Sequence, residues 1–221
     1  KPDFVEAHYN LGCTLHALGK MEEAESSLKR SIAIDANFVA AHNNLGVLYQ
    51  ELGRLKEAES ILAQAIALRG DYADPYNNLG LVLYKQGRLQ EAEAFYRQSI
   101  SIKHDFHEAH NNLGNTLKDL NRLDEAEESY LQAATYNSLK ALNNLGLLFT
   151  YKKQYAKGRE YYQRALTLNP EFVDAKYGLS LLHLALKEYR TGFTLYEARH
   201  HPDASNIMAI PPNIKVPRYQ G

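Results

Sequence analysis

Two periods are superimposed in the pattern of apolar, small and polar positions. The short one is helical. Counted from Val39 at ~100° per residue, His42, Leu45, Gly46 and Tyr49 fall on one side of a wheel, and Ala40, Asn44, Val47 and Glu51 on the other. The long one spans whole segments. The triplet Asn-Leu-Gly begins at Asn10, Asn44, Asn78, Asn112 and Asn144, at intervals of 34, 34, 34 and 32 residues. Twelve residues after four of its glycines stands an alanine flanked by glutamates: Ala24, Ala58, Ala92 and Ala126. Between the two signals lies Gly19, Gly53, Gly87 or Asn121, the residue types that best end a helix in a left-handed conformation. The pattern predicts twelve helices in antiparallel pairs and no strand.

One such pair cannot bury its apolar face alone, so neighbouring pairs must stack. Full repeats begin near Val5, Val39, Ala73, His107 and Leu139, and a degenerate sixth near Val173, where Ser180 takes the glycine position and Gly192 the alanine position. With Leu-Gly at its seventh and eighth positions and a small residue at its twentieth, the 34-residue unit resembles the tetratricopeptide repeat (TPR) from residue 5 to about 199. The resemblance implies an all-α, right-handed α-α superhelix, a solenoid of about six helix-turn-helix repeats with a concave inner face. Repeat bounds are expected near 5–38, 39–72, 73–106, 107–138, 139–172 and 173–199. Residues 1–4 read as the remnant of a preceding linker, because Lys1-Pro2-Asp3-Phe4 resembles Asn169-Pro170-Glu171-Phe172. Gly46 is expected against the helix of Ala58. Repeat four is expected to be irregular, with two residues lost around 134–139 and Asn137-Ser138 making a turn and a helix start.

Positions two, six, nine and thirteen of each first helix lie opposite the Leu-Gly side. In the family resembled, that face lines the groove. Position six is Asn10, Asn44, Asn78, Asn112 and Asn144. A carboxamide carries two donors and a two-lone-pair acceptor, so a row of them suits the backbone of an extended peptide. The alternative is that these asparagines bond to neighbouring helices or to water. Val47, Leu81, Leu147 and Leu181 at position nine add apolar contact. Position two is Glu6, Ala40, Asp74, Glu108, Lys140 and Asp174. Some TPR domains clamp a C-terminal carboxylate with basic residues there. Asp74 and Glu108 would repel one, so that activity is not expected.

Charge and composition narrow the remaining choices. With 25 Lys and Arg against 26 Asp and Glu the chain is near neutral, which argues against nucleic acid. No apolar run is long enough to span a membrane. The single cysteine, Cys13, allows no internal disulfide and fits a reducing, cytoplasmic location. His8, His42 and His110 recur at position four, whole repeats apart, and read as packing residues rather than metal ligands. Tyr49, Tyr84, Tyr96 and Tyr130 read as packing too. No phosphate-cradling loop or nucleophile constellation stands out, so no cofactor, metal or catalytic residue is expected.

Residues 200–221 hold Pro202, Pro211, Pro212 and Pro217 and read as a tail or junction. Gly192-Phe193, Tyr196-Glu197, Arg199 and Pro217-Arg218-Tyr219-Gln220-Gly221 resemble the segment that joins repeats to enzyme in bacterial glycosyltransferases of the O-linked N-acetylglucosamine transferase type. The resemblance implies a non-catalytic scaffold that presents acceptor proteins to a glycosyltransferase domain. A free-standing assembly adaptor, binding a partner's helix or its own copies, is the alternative reading.

Overall fold

The computed structural model describes residues 2–196, with side chains from Phe4 onward. Twelve helices run through them and no strand occurs among the described residues. They are α1 (Pro2–Ala17), α2 (Met21–Ile34), α3 (Val39–Glu51), α4 (Leu55–Leu68), α5 (Ala73–Lys85), α6 (Leu89–Ile102), α7 (His107–Asp119), α8 (Leu123–Ala134), α9 (Leu139–Tyr151), α10 (Tyr155–Leu168), α11 (Val173–Ala185) and α12 (Tyr189–Tyr196). The chain divides into two compact units, residues 1–120 and 121–221. The division falls between the two helices of the fourth repeat. The tail, residues 200–221, and the junction residues from Glu197 onward lie outside the described residues.

In the first unit each helix packs on the next from α1 to α7, and the first helices α1, α3, α5 and α7 also touch in series. Leu45, Leu48 and Leu62 are almost wholly buried, each stabilising the stack by roughly 1.5–3 kcal/mol. Gly46 lies against α4, the helix of Ala58, and a Cβ there would sit 2.5 Å from Leu62 Cγ. Buried hydroxyls are satisfied locally. Ser31 donates to the Val5 carbonyl at 3.0 Å and Ser99 to the Ala73 carbonyl at 2.9 Å.

The turn inside each repeat is a left-handed helix stop. Gly19, Gly53 and Gly87 have φ of 74°, 73° and 78°. At the second of these, the Gly53 amide donates to the Gln50 carbonyl and the Arg54 amide to that of Tyr49. The second unit makes the same turn without glycine: Asn121, Lys153 and Lys187 stand at φ of 60°, 59° and 65°. A side chain in that region costs ~1–2 kcal/mol relative to the right-handed helix, which asparagine tolerates best.

The second unit packs α8 on α9, α9 on α10, α10 on α11 and α11 on α12, with α9 also beside α11. Its first helix is short: α8 has 12 residues where α2, α4, α6 and α10 have 14. Asn137 turns the chain at φ 55°, and the Ser138 hydroxyl accepts the Ala141 amide to start α9. This is the irregularity that the 32-residue interval predicts.

Candidate functional site

The first helices of the first unit lie side by side, so a residue on one faces the residue 35 positions further on. Asn78 Nδ2 donates to Asn43 Oδ1 at 2.9 Å, and Asn112 Nδ2 to Asn77 Oδ1 at 3.0 Å. Where position five is a tyrosine, Asn44 Nδ2 donates instead to the Tyr9 hydroxyl at 3.1 Å and to Cys13 Sγ at 3.1 Å. Within repeats, Asn43 Nδ2 donates to Asn44 Oδ1 at 3.2 Å, and Asn77 Nδ2 to Asn78 Oδ1 at 3.4 Å. Asn43 and Asn77 are buried and Asn44, Asn78 and Asn112 half-buried. The position-six side chains are therefore tied to the preceding repeat as well as turned to the open face. Position five lies outside the face that the helical wheel assigns to the groove; the Asn-Asn doublet and the 35-residue offset are the sequence signals for it.

Both Asn44 donors are occupied. Asn78 keeps one N–H and one lone pair beyond the bonds described, which is what pairing with a peptide group requires. Val47 and Leu81 flank these amides, half-buried. Asn10 is exposed at the start of the row, and its backbone carbonyl accepts the Thr14 hydroxyl. Near the far end of the helices the same offset recurs between His16 Nε2 and Glu51 Oε2 at 2.7 Å, and between the Tyr84 hydroxyl and Asp119 Oδ2 at 2.5 Å. Bonding to Asp119 and burial push the Tyr84 hydroxyl pKa well up, burial the more. At position two Glu6 and Glu108 are exposed and Asp74 is half-buried.

The second unit carries Asn144 and Leu147, both half-buried, whereas Leu181 is buried at 5% exposure and contributes to packing instead. Its amide network is broken. Asn143 is the counterpart of Asn43 and Asn77, and the residue 35 positions on, where their donors stand, is Gly178. The Asn143 Oδ1 atom is buried with no hydrogen-bond partner among the described residues. A Cβ on Gly178 would meet the Tyr162 ring, 2.4 Å from Cε1. Tyr162 thus takes the room that a position-six side chain would need.

Ion pairs 29 residues apart clamp successive repeats. Arg54 bridges Glu25 at 2.5 Å and Glu57, and Arg88 bridges Glu59 at 2.7 Å and Glu91. The Arg54 guanidinium, with Lys29 and Tyr49 adding hydrogen bonds, lowers the Glu25 pKa to about 2 against the opposing effect of burial. In the second unit Glu127 keeps the forward direction by bonding Lys152 at 2.7 Å, whereas between the fifth and sixth repeats the polarity reverses: Arg159 on α10 bonds Glu188 at 2.9 Å, and His183 also contacts that carboxylate. His42 is buried with Nδ1 against the Phe38 carbonyl at 3.2 Å, and His110 Nε2 meets the His104 carbonyl at 3.0 Å. Among the described residues no three His, Cys, Asp or Glu side chains converge as a metal site, and no helix is long and apolar enough to cross a membrane.

Sequence models of the tetratricopeptide repeat match residues 14–53, 38–104, 107–138 and 139–172. No curated protein matches the chain. Solved structures do. Pseudomonas aeruginosa pilF is 21% identical over 91% of this chain and 94% of its own, with a TM-score of 0.79. PilW, described as a type IV pilus biogenesis factor, is 17% identical over 88% of this chain and 91% of its own, at 0.78. YrrB, described as a TPR protein with an unusual peptide-binding site, is 22% identical over 76% of this chain and 88% of its own, at 0.58. The in-phase repeat signals, the helix pairs and these matches agree: the chain belongs to the tetratricopeptide-repeat family.

Proposed function

We propose that the chain is a protein-binding scaffold whose first-helix face holds an extended polypeptide through its main chain. The observation that carries this reading is the amide network of the first unit. It fixes the rotamers of Asn44, Asn78 and Asn112 before any partner arrives, so little side-chain entropy is lost on binding. It also leaves Asn78 able to bond one N–H and one C=O of a passing strand. Val47 and Leu81 add apolar contact, and the acidic Glu6, Asp74 and Glu108 disfavour a terminal carboxylate. YrrB, similar in fold, is described with a peptide-binding site, which fits this use of the repeat. Asn144 and Leu147 would offer a second unit's worth of the same contacts.

A narrower form of the proposal rests on residues 192–221. Their likeness to a glycosyltransferase junction makes the scaffold the part of a larger enzyme that presents acceptor proteins, with no catalytic group of its own. The test is an array of extended peptides of about 12 residues, enough to cross several repeats at ~3.3 Å per residue. Binding should survive scrambling of the peptide sequence. It should weaken about tenfold with Asn78→Ala, the loss of roughly one to two hydrogen bonds. A variant that folds normally and binds as well as the parent would move the site elsewhere.

A further inference from the structure

The second unit carries an exposed cationic edge that the peptide-holding face does not use. Residues 1–120 hold 12 Lys and Arg against 16 Asp and Glu, whereas residues 121–221 hold 13 against 10. Part of that excess gathers at the turns that join α9 to α10 and α11 to α12. Lys153 and Lys187 occupy the left-handed position of those two turns, and both are exposed. Lys157 and Arg190, in the first turns of α10 and α12, are exposed as well. The contact between Arg159 and Glu188 holds α10 against the second turn. Since Lys157 is two residues from Arg159, and Lys187 is next to Glu188, the cations of the two repeats share one edge.

Three of the nearby carboxylates are already engaged, while Glu160, three residues on from Lys157, is exposed. Glu188 is turned to Arg159 and His183, and Asp124 and Glu127 both bond Lys152. Lys153, Lys157, Lys187 and Arg190 pair with no carboxylate among the described residues. Lys157 lies over the Phe149 ring, 5.0 Å from its centroid. Two local preferences are broken to build this edge. Gly19, Gly53 and Gly87 show that the chain has a strain-free solution for the same turn, yet lysine stands there twice. The first turns of α2, α4, α6 and α8 carry acids, as the helix dipole favours, whereas those of α10 and α12 carry none. In the fifth and sixth repeats both departures from local preference run towards positive charge, which marks a surface kept for something other than folding.

We propose that this edge of the fifth and sixth repeats docks an acidic, extended segment of a partner protein. Lysine ammonium groups on flexible stems suit carboxylates whose spacing is not fixed. Four cations match a short acidic stretch. They fall short of the phosphate footprint of a duplex, which the acidic first unit would repel.

The test is fluorescence anisotropy of the folded chain with a labelled Asp/Glu-rich peptide, beside a Ser/Gly peptide of the same length and a DNA duplex, at low and high salt. The acidic peptide should bind best, and salt should weaken it. The double variant Lys153→Gly/Lys187→Gly should bind it about tenfold more weakly while melting at a higher temperature, and Lys56→Ala in the first unit should leave binding unchanged. A merely structural role for the two lysines would lower or leave the melting temperature and leave the affinity alone. Equal binding of parent and double variant, tighter binding of the duplex than of the peptide, or salt-independent binding would overturn the proposal.

Discussion

The two units obey one repeat pattern with opposite local economies. The first closes its turns with glycine, links its asparagines across α3, α5 and α7, and clamps repeats by glutamate-to-arginine pairs running forward along the chain. The second closes two turns with lysine, leaves Asn143 Oδ1 without a partner among the described residues, and reverses the clamp between its last two repeats to Arg159–Glu188. The stack tolerates all three departures because each touches only adjacent helices, while Leu145, Leu148 and Ala165 keep the common core. Regular packing therefore says little about which unit carries extra chemistry. The departures from it say more.

The comparison breaks most visibly at Gly178. Gly178→Asn restores the residue type of the first unit's network but drives a side chain into the Tyr162 ring, and should destabilise by about 2–3 kcal/mol in denaturant melts. Adding Tyr162→Leu, which places there the residue of Leu62 in the second repeat, should recover part of the loss by freeing the room. If the single variant were as stable as the parent, Tyr162 would not be what keeps Asn143 unpaired.

Next come the position-five asparagines. Asn77→Ala removes a bond to Asn78 and strands the Asn112 donor, and should cost about 1–3 kcal/mol. Asn143→Ala removes a buried acceptor that has no partner among the described residues, and should be neutral or stabilising by up to about 1 kcal/mol. Equal losses at the two sites would erase the contrast between the units. Smaller again are the turns: Lys153→Gly should stabilise by about 1 kcal/mol and Gly53→Lys destabilise by a similar amount.

The least effect is expected from acid. The Glu25 pKa is depressed in the folded state by Arg54, so its stabilisation is complete above the unfolded value of 4.5 and fades as pH falls towards about 2. Glu25→Gln should flatten that decline in a series of melting temperatures. Glu188 is shifted the same way by Arg159 and His183, so the contact between the last two repeats should also weaken as pH falls below 4.5.

Much of this was legible in the sequence. The repeat phase locates α3, α5, α7, α9 and α11, the short interval after Gly114 announces the truncated α8, and the wheel separates Leu45 from Asn44. What a wheel cannot show is contact between helices. The bonds from Asn78 to Asn43 and from Asn112 to Asn77 join residues 35 apart on parallel neighbours, one more than the repeat period, so they appear only once the stacking is known. The same limit hid the fate of Asn143, which depends on Gly178 and on the ring of Tyr162 from a third helix. Asparagines at position six suggested two uses, to neighbours and to a ligand. The structure places part of their bonding capacity in the first.

The central claim, that the first unit's face reads polypeptide through its main chain, is tested most directly without altering the protein. Calorimetric titration would compare an array-selected peptide with its twin N-methylated at alternate backbone amides, identical in side chains. The account predicts measurable heat for the first and binding about three- to tenfold weaker for the second, from roughly one backbone hydrogen bond to a preorganised amide. Equal affinity of the two peptides would contradict it.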